Sequence, residues 1–115
     1  MYHAKVTLLG NITDEPMLQF FDEQREQPYC RFSLALNRKY KARDGNRVEE
    51  AHFFECFARG EVAKSIKEYA QKGSRMLVAG ELRQDRWKDE ADLPRSRVIV
   101  HVTDFPEIFR KPERA

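Results

Sequence analysis

Apolar and polar residues alternate along five segments of the chain, and this two-residue period is typical of strands with one buried face. The clearest segment is 29–38, in which Cys30, Phe32, Leu34 and Leu36 share one face. The third segment has large aromatic residues on both faces, so this strand needs a second covering besides the core. The same pattern predicts four further strands, over residues 3–12, 50–58, 74–83 and 96–105.

One segment has helical spacing instead. Val62, Ile66 and Tyr69 lie four and three residues apart, which predicts a helix over 60–72, followed by Gly73. Five strands with a single helix between the third and fourth match a five-stranded Greek-key barrel of the OB type. We therefore predict an all-β OB-fold domain over residues 1–105 and a short flexible C-terminal end over 106–115.

The composition excludes several classes of protein. A chain of 115 residues is long enough for one domain. Its net charge of +2 does not by itself indicate that the protein binds nucleic acid. Cys30 and Cys56 stand singly in apolar strands, as expected of small buried side chains in a reducing cytoplasm. The three histidines are scattered, so we expect no metal site and no cofactor. No segment is apolar enough to cross a membrane.

Charge and aromatic residues coincide in two segments. Residues 37–47 contain five basic residues and one acidic residue, a local charge of +4, with Tyr40 in their midst. The only tryptophan, Trp87, lies in the charged segment 82–97, which we predict to be largely a loop. Phe53 lies on the non-core face of the third strand. Flat rings among cations suit single-stranded nucleic acid, because each base can stack and each phosphate needs neutralisation.

The face of strands 2 and 3, with its flanking loops, is the usual ligand surface of an OB barrel. Tyr40, Phe53 and Trp87 are predicted to lie on or beside this face and to stack on bases. Each ring has another interpretation: Trp87 can pack back on the barrel, Phe53 can cover a subunit interface together with Phe57, and the basic loop around Tyr40 can be a solvated hairpin tip. The side chains predicted to contact phosphates, or to stack as cations, are Arg38, Lys39, Lys41, Arg43, Arg59, Arg83, Arg86 and Lys88.

Three segments of the chain, within roughly residues 3–105, resemble the bacterial single-stranded DNA-binding proteins. They are KVTLLGNITDEP, FSLALNRKY and HFFECFARGEVAKSIKEYAQKGSRMLVAGELRQDRW. The resemblance implies base stacking by Tyr40, Phe53 and Trp87, and a homotetramer around which the strand wraps. It further implies a part in DNA replication, recombination or repair, and a cytoplasmic, nucleoid-associated location. From the residues alone the first strand and segment 17–21 can mediate a dimer, a tetramer or neither, and RNA is as compatible as DNA.

The chain departs from the family pattern at four places. Arg59 replaces an aromatic residue that is frequent in the family, although it can stack as a planar cation. Glu55 is in phase with Phe53, where a basic residue would suit phosphate better. Segment 84–95 has Pro94 and no glycine, so its shape is expected to differ. The ending FRKPERA is basic, so recruitment of replication proteins through an acidic tail is not supported. A phage-type or mobile-element member, or a shortened chain, would explain that ending.

Two other functions were weighed against DNA binding. An OB-fold protein-interaction module, acting as a primosome-like replication accessory, would use the same rings to fill an interface. An enzyme fits poorly, since the carboxylates of Asp85, Asp89 and Asp92 have no neighbouring histidine in the sequence. The chain also has no nucleophile motif and no glycine-rich phosphate loop.

Overall fold

The structure is a computed structural model and describes residues 1–24 and 26–109. This part of the chain contains seven strands and one helix. In chain order they are β1 (Lys5–Ile12), β2 (Gln19–Phe20), β3 (Pro28–Lys41), β4 (Arg47–Arg59), α1 (Gly60–Tyr69), β5 (Arg75–Lys88), β6 (Pro94–Val102) and β7 (Glu107–Phe109).

Five of the strands close into a barrel. β1 pairs with both β3 and β5, β3 pairs with β4, and β5 pairs with β6, all antiparallel. A short parallel pairing of β4 with β6, at Cys56–Val100 and Phe57–His101, completes the ring. The predicted five-stranded barrel, with its helix between the third and fourth barrel strands, is confirmed. β2 and β7 are additions, which pair with β3 and β5.

The core consists of the even-numbered residues of the barrel strands. Leu34, Cys56, Met76 and Val78 are fully buried, and Ile66 of α1 packs against the same cluster. Gly80 lets β5 and β6 approach closely, because a Cβ atom at this position would lie 1.9 Å from the carbonyl oxygen of His101. The odd-numbered residues of β3, β4, β5 and β6 lie on the other side of the sheet, and among them only Ile99 of β6 is buried.

Two strand pairs run beyond the barrel, which the sequence analysis did not predict. β3 and β4 continue to the Lys41–Arg47 pair, and β5 and β6 continue to the Lys88–Pro94 pair. We call residues 35–53, from the Ala35–Phe53 pair to the turn, the β3–β4 arm and residues 84–98 the β5–β6 arm. The arms explain a radius of gyration of 16.6 Å, since a compact domain of this length would have about 13 Å. Most residues of the arms are polar and lie on both faces, so no regular alternation of apolar residues indicates strands there.

The C-terminal segment contains a strand where a flexible end was predicted. Glu107–Phe109 forms β7, which pairs with Arg75–Leu77, and Ile108 packs against the core. An apolar side chain that reaches the core holds this segment in place. The rest of the predicted flexible end, residues 110–115, lies outside the described residues.

Candidate nucleic-acid interface

The strand register divides the predicted site residues between two faces. β3 and β4 pair without a bulge from Tyr29–Arg59 to Lys41–Arg47, so side chains alternate strictly along both strands. We call the side of β3, β4, β5 and β6 that carries the odd-numbered residues the outer face. Phe53, opposite Ala35, lies on it and is 65% exposed.

Trp87 also lies on the outer face. It is opposite Arg95 on β6, and its residue is 46% exposed. The guanidinium carbon of Arg97 is 5.6 Å from the centroid of the indole ring, and Arg97 Nε is 3.7 Å from Asp85 Oδ2. Trp87 therefore belongs to a strand rather than to a loop, and a cation approaches one side of its ring.

Tyr40 lies on the opposite face of the β3–β4 arm from Phe53. Its hydroxyl donates a 2.8 Å hydrogen bond to Glu50 Oε1, and the guanidinium carbon of Arg38 is 5.0 Å from its ring centroid. The hydrogen bond raises the pKa of Tyr40 and lowers the pKa of Glu50. We expected Tyr40, Phe53 and Trp87 to lie on or beside one face, and this is corrected for Tyr40. Residue 40 belongs to strand β3, in which even-numbered and odd-numbered side chains point to opposite faces.

The turn of the β5–β6 arm is held by one carboxylate. Asp89 Oδ1 accepts hydrogen bonds from the backbone N–H groups of Ala91 (2.9 Å) and Leu93 (3.0 Å), and Oδ2 accepts one from Arg95 Nε (2.8 Å). These bonds, led by the one from Leu93, lower the pKa of Asp89. Asp92 adopts φ 59°, a left-handed conformation that favours glycine. A tight hairpin turn therefore forms here without glycine.

The predicted basic residues follow the same division. Lys39, Lys41, Arg59 and Arg83 lie on the outer face, whereas Arg38, Arg86 and Lys88 lie on the even-numbered side and Arg43 lies in the turn between β3 and β4. Several have exposed partners, such as Glu49 Oε1 at 3.3 Å from Lys39 Nζ and Asp92 Oδ1 at 3.7 Å from Lys88 Nζ. Such pairs are weak in water and can open for a phosphate. Glu55 also lies on the outer face, opposite Ser33.

A row of rings on the outer face was missed by the sequence analysis. Phe21 stacks on Tyr29 with centroids 4.2 Å apart, Tyr29 stacks on Phe57 at 5.7 Å, and Phe57 meets His101 at 5.0 Å. The guanidinium carbon of Arg31 is 5.9 Å from the Phe57 centroid. The outward phase of Tyr29 and Phe57 was readable from the alternation. The contact with His101 was not, because it depends on the parallel pairing of β4 with β6.

Within 1–24 and 26–109, no three His, Cys, Asp or Glu side chains are grouped so that they could hold a metal ion. Burial raises the pKa of the Cys30 thiol to about 11 and that of Cys56 to about 12. Both free cysteines therefore carry protonated thiols at neutral pH. Over the same residues, no helix has the length and apolar character needed to span a membrane.

The profile of the Single-strand binding protein family matches residues 3–107. The chain belongs to this family. It is 37% identical over 99 residues to the "Single-stranded DNA-binding protein" of Treponema pallidum (strain Nichols), covering 86% of this chain and 54% of that protein. It is 36% identical over 86 residues to the protein of the same name from Aquifex aeolicus (strain VF5), covering 75% of this chain and 57% of that protein. The chain thus spans little more than half the length of these relatives.

A solved structure supports the fold assignment. The chain matches "Plasmodium falciparum SSB complex with ssDNA" with a TM-score of 0.75 at 20% sequence identity, over 89% of this chain and 88% of that chain. The barrel topology and this likeness together establish the OB-fold.

Proposed function

We propose that the protein binds and protects single-stranded DNA without reading its sequence. The observation that carries the proposal is the outer face, where the exposed ring of Phe53 accompanies Arg59 on β4 and the exposed ring of Trp87 accompanies Arg83 on β5, with β6 between the two strands. Bases stack on the rings, at about 1–3 kcal/mol for each base, and the cations contact phosphates. Every base has a flat face, so this mode of binding is independent of sequence.

The proposed contact residues are those predicted from the sequence. Tyr40, Phe53 and Trp87 stack on bases, and the eight basic residues contact phosphates or stack as cations. Because Tyr40 and Phe53 lie on opposite faces of the β3–β4 arm, a strand that meets both must pass around the edge of the arm. This arrangement suits a flexible single strand and not a stiff duplex, whose base faces are hidden.

The relatives support the same assignment by their names. We propose a non-catalytic part in DNA replication, recombination or repair, in the cytoplasm and associated with the nucleoid.

We also propose that the protein forms a homo-oligomer, a tetramer in preference to a dimer. Leu9 and Leu77 are direct partners in the β1–β5 pairing, and both are exposed on the outside of the barrel. We assign this exposed apolar pair to the contact surface between subunits. The mass of the protein in solution, measured by light scattering with and without poly(dT), tests this assembly. A monomer at all concentrations, with and without DNA, would contradict it.

A titration with oligo(dT) tests the DNA-binding function. We expect strong quenching of Trp87 fluorescence, weakened by salt, and no comparable binding of a duplex of equal length. The control is the Trp87→Phe variant, followed through a dye on the oligonucleotide, which keeps a ring and should still bind. If neither protein binds oligo(dT), the alternative is favoured, a primosome-like protein-interaction module whose rings fill an interface.

A further inference from the structure

A groove of about 230 Å³ lies at the end of the outer face, between β4 and the β5–β6 pair. Phe57, Arg59, Arg83 and His101 line it. None of the three rings predicted to stack on bases lines it, whereas Arg59 and Arg83 are among the predicted cationic contacts.

Strand pairing fixes the geometry of the groove. Phe57 and His101 are partners in the parallel β4–β6 pairing, and their rings meet at 5.0 Å with an angle of 47° between them. Arg59 follows Phe57 by two residues on β4 and so lies on the same face. Arg83 follows Glu81, the antiparallel partner of His101 on β5. Two guanidinium groups and an imidazole therefore approach one cavity from three strands.

Two arginines and two carboxylates surround His101. Among the described residues, Arg59 has no carboxylate within ion-pair distance, and Arg83 Nε is 3.8 Å from Glu81 Oε2. The charged groups that act on His101 are Arg83, Asp85 and Glu81 from β5 and Arg59 from β4. Burial, followed by Arg83 and Arg59, lowers the pKa of His101, while Asp85 and Glu81 oppose this effect more weakly. The free protein therefore favours the neutral imidazole of His101 over the charged form.

We propose that this groove binds one backbone phosphodiester between Arg59, Arg83 and His101, and that His101 takes up a proton from solvent as the phosphate binds. Phe57 holds the imidazole in place. The inference rests on the proposed function and adds a phosphate contact whose strength depends on pH.

The direction of the effect follows from linkage. A bound phosphate offsets the two guanidinium charges and favours the charged imidazole, so the pKa of His101 is higher in the complex than in the free protein. The gain in affinity is complete below the pKa of the free protein, itself below 6.5. It is lost as the pH rises through the pKa of the complex. Each unit of difference between the two pKa values changes the affinity about tenfold.

The experiment measures binding of dye-labelled oligo(dT) by anisotropy at constant ionic strength, between about pH 5 and pH 8. The oligonucleotide lacks terminal phosphates, because a phosphate monoester itself titrates near pH 6. Three variants are compared with the unaltered protein. His101→Phe keeps an aromatic ring but has no group that titrates. His101→Gln replaces it as the test variant if His101→Phe folds poorly. His52→Gln is the control, because His52 lies on the other side of β4.

We expect the unaltered protein and His52→Gln to bind more tightly as the pH falls, and the His101 variants to show a flat profile. Calorimetry in two buffers of different ionisation enthalpy should detect proton uptake on binding by the unaltered protein and by His52→Gln, and not by the His101 variants. A pH-independent affinity of the unaltered protein, or a slope kept by both His101 variants, would overturn this inference and leave the proposed function intact. No binding at any pH would instead contradict the proposed function.

Discussion

Arg97 lies beside the ring of Trp87, with its guanidinium carbon 5.6 Å from the ring centroid, and it also faces the carboxylate of Asp85 at 3.7 Å. A planar cation over an indole is favourable and restricts the motion of the ring. The indole is therefore held in position on the outer face while remaining 46% exposed. A ring that is already oriented loses less entropy when a base stacks on it.

The first prediction concerns Trp87→Ala. The variant should lose about 1–3 kcal/mol of binding to oligo(dT) at each site, because one base loses its stacking partner. Its unfolding midpoint should be nearly unchanged, since the ring is outside the core. Anisotropy of a labelled oligonucleotide measures the affinity. The matched control is Tyr69→Ala, which removes an exposed ring from α1 and should bind normally. Equal affinity of both variants would argue against stacking by Trp87.

The barrel was predictable because its strands have one buried face and therefore a regular pattern. The arms were not, since their order comes from cross-strand contacts such as Tyr40 with Glu50 and Lys39 with Glu49. These contacts join residues that the sequence analysis assigned to a basic loop and to a separate strand. The local charge of +4 belongs to residues 37–47 alone. Glu49 and Glu50 follow that segment, and the register places them opposite Lys39 and Arg38, so they offset part of this charge.

The candidate site was predictable in composition but not in arrangement. Phe53 lies on the non-core face of the third barrel strand, as predicted, because side chains alternate along that strand without interruption. The side of Tyr40 depends on β3 continuing for three residues beyond the predicted end at 38. His101 entered no prediction, because nothing in its own segment indicates that β6 runs parallel to β4. The roles of the site residues in binding stay predictions.

The second prediction concerns the salt dependence of binding. Replacing Lys39, Lys41 and Arg43 with glutamine should make the slope of log affinity against log salt less steep. The change should be about 0.7 for each lost phosphate contact, thus about 2 for all three. A control variant replaces Lys64, Lys67 and Lys72, which belong to α1 and the turn after it, and should keep the original slope. If the two triple variants have the same slope, the β3–β4 arm does not contact phosphates.

The third prediction concerns Gly80, which holds β5 against β6 beside His101. In Gly80→Ala the new methyl group would lie 1.9 Å from the carbonyl oxygen of His101, so the strands must separate. We expect a loss of more than about 3 kcal/mol in the free energy of unfolding, above the usual cost of overpacking. Gly45→Ala is the comparison, because this turn has open space and only its φ of +89° is unfavourable, at about 1–2 kcal/mol. Chemical denaturation measures the free energy of unfolding of both variants. Similar values would show that β5 and β6 do not approach closely at Gly80.

The last prediction uses the separation of Tyr40 from Phe53 on the β3–β4 arm. A strand of about five nucleotides, near the lower limit for one OB-fold, should be too short to contact both faces of the arm, whereas one of about 16 can pass around its edge. Phe53→Ala should therefore weaken binding of both lengths, and Tyr40→Ala should weaken binding of the longer one only. Tyr40→Phe is the control, because it loses the hydroxyl bond to Glu50 but keeps the ring, and it should bind both lengths normally. If Tyr40→Ala and Phe53→Ala weaken the short oligonucleotide equally, the same few nucleotides reach both rings, and the path around the arm is excluded.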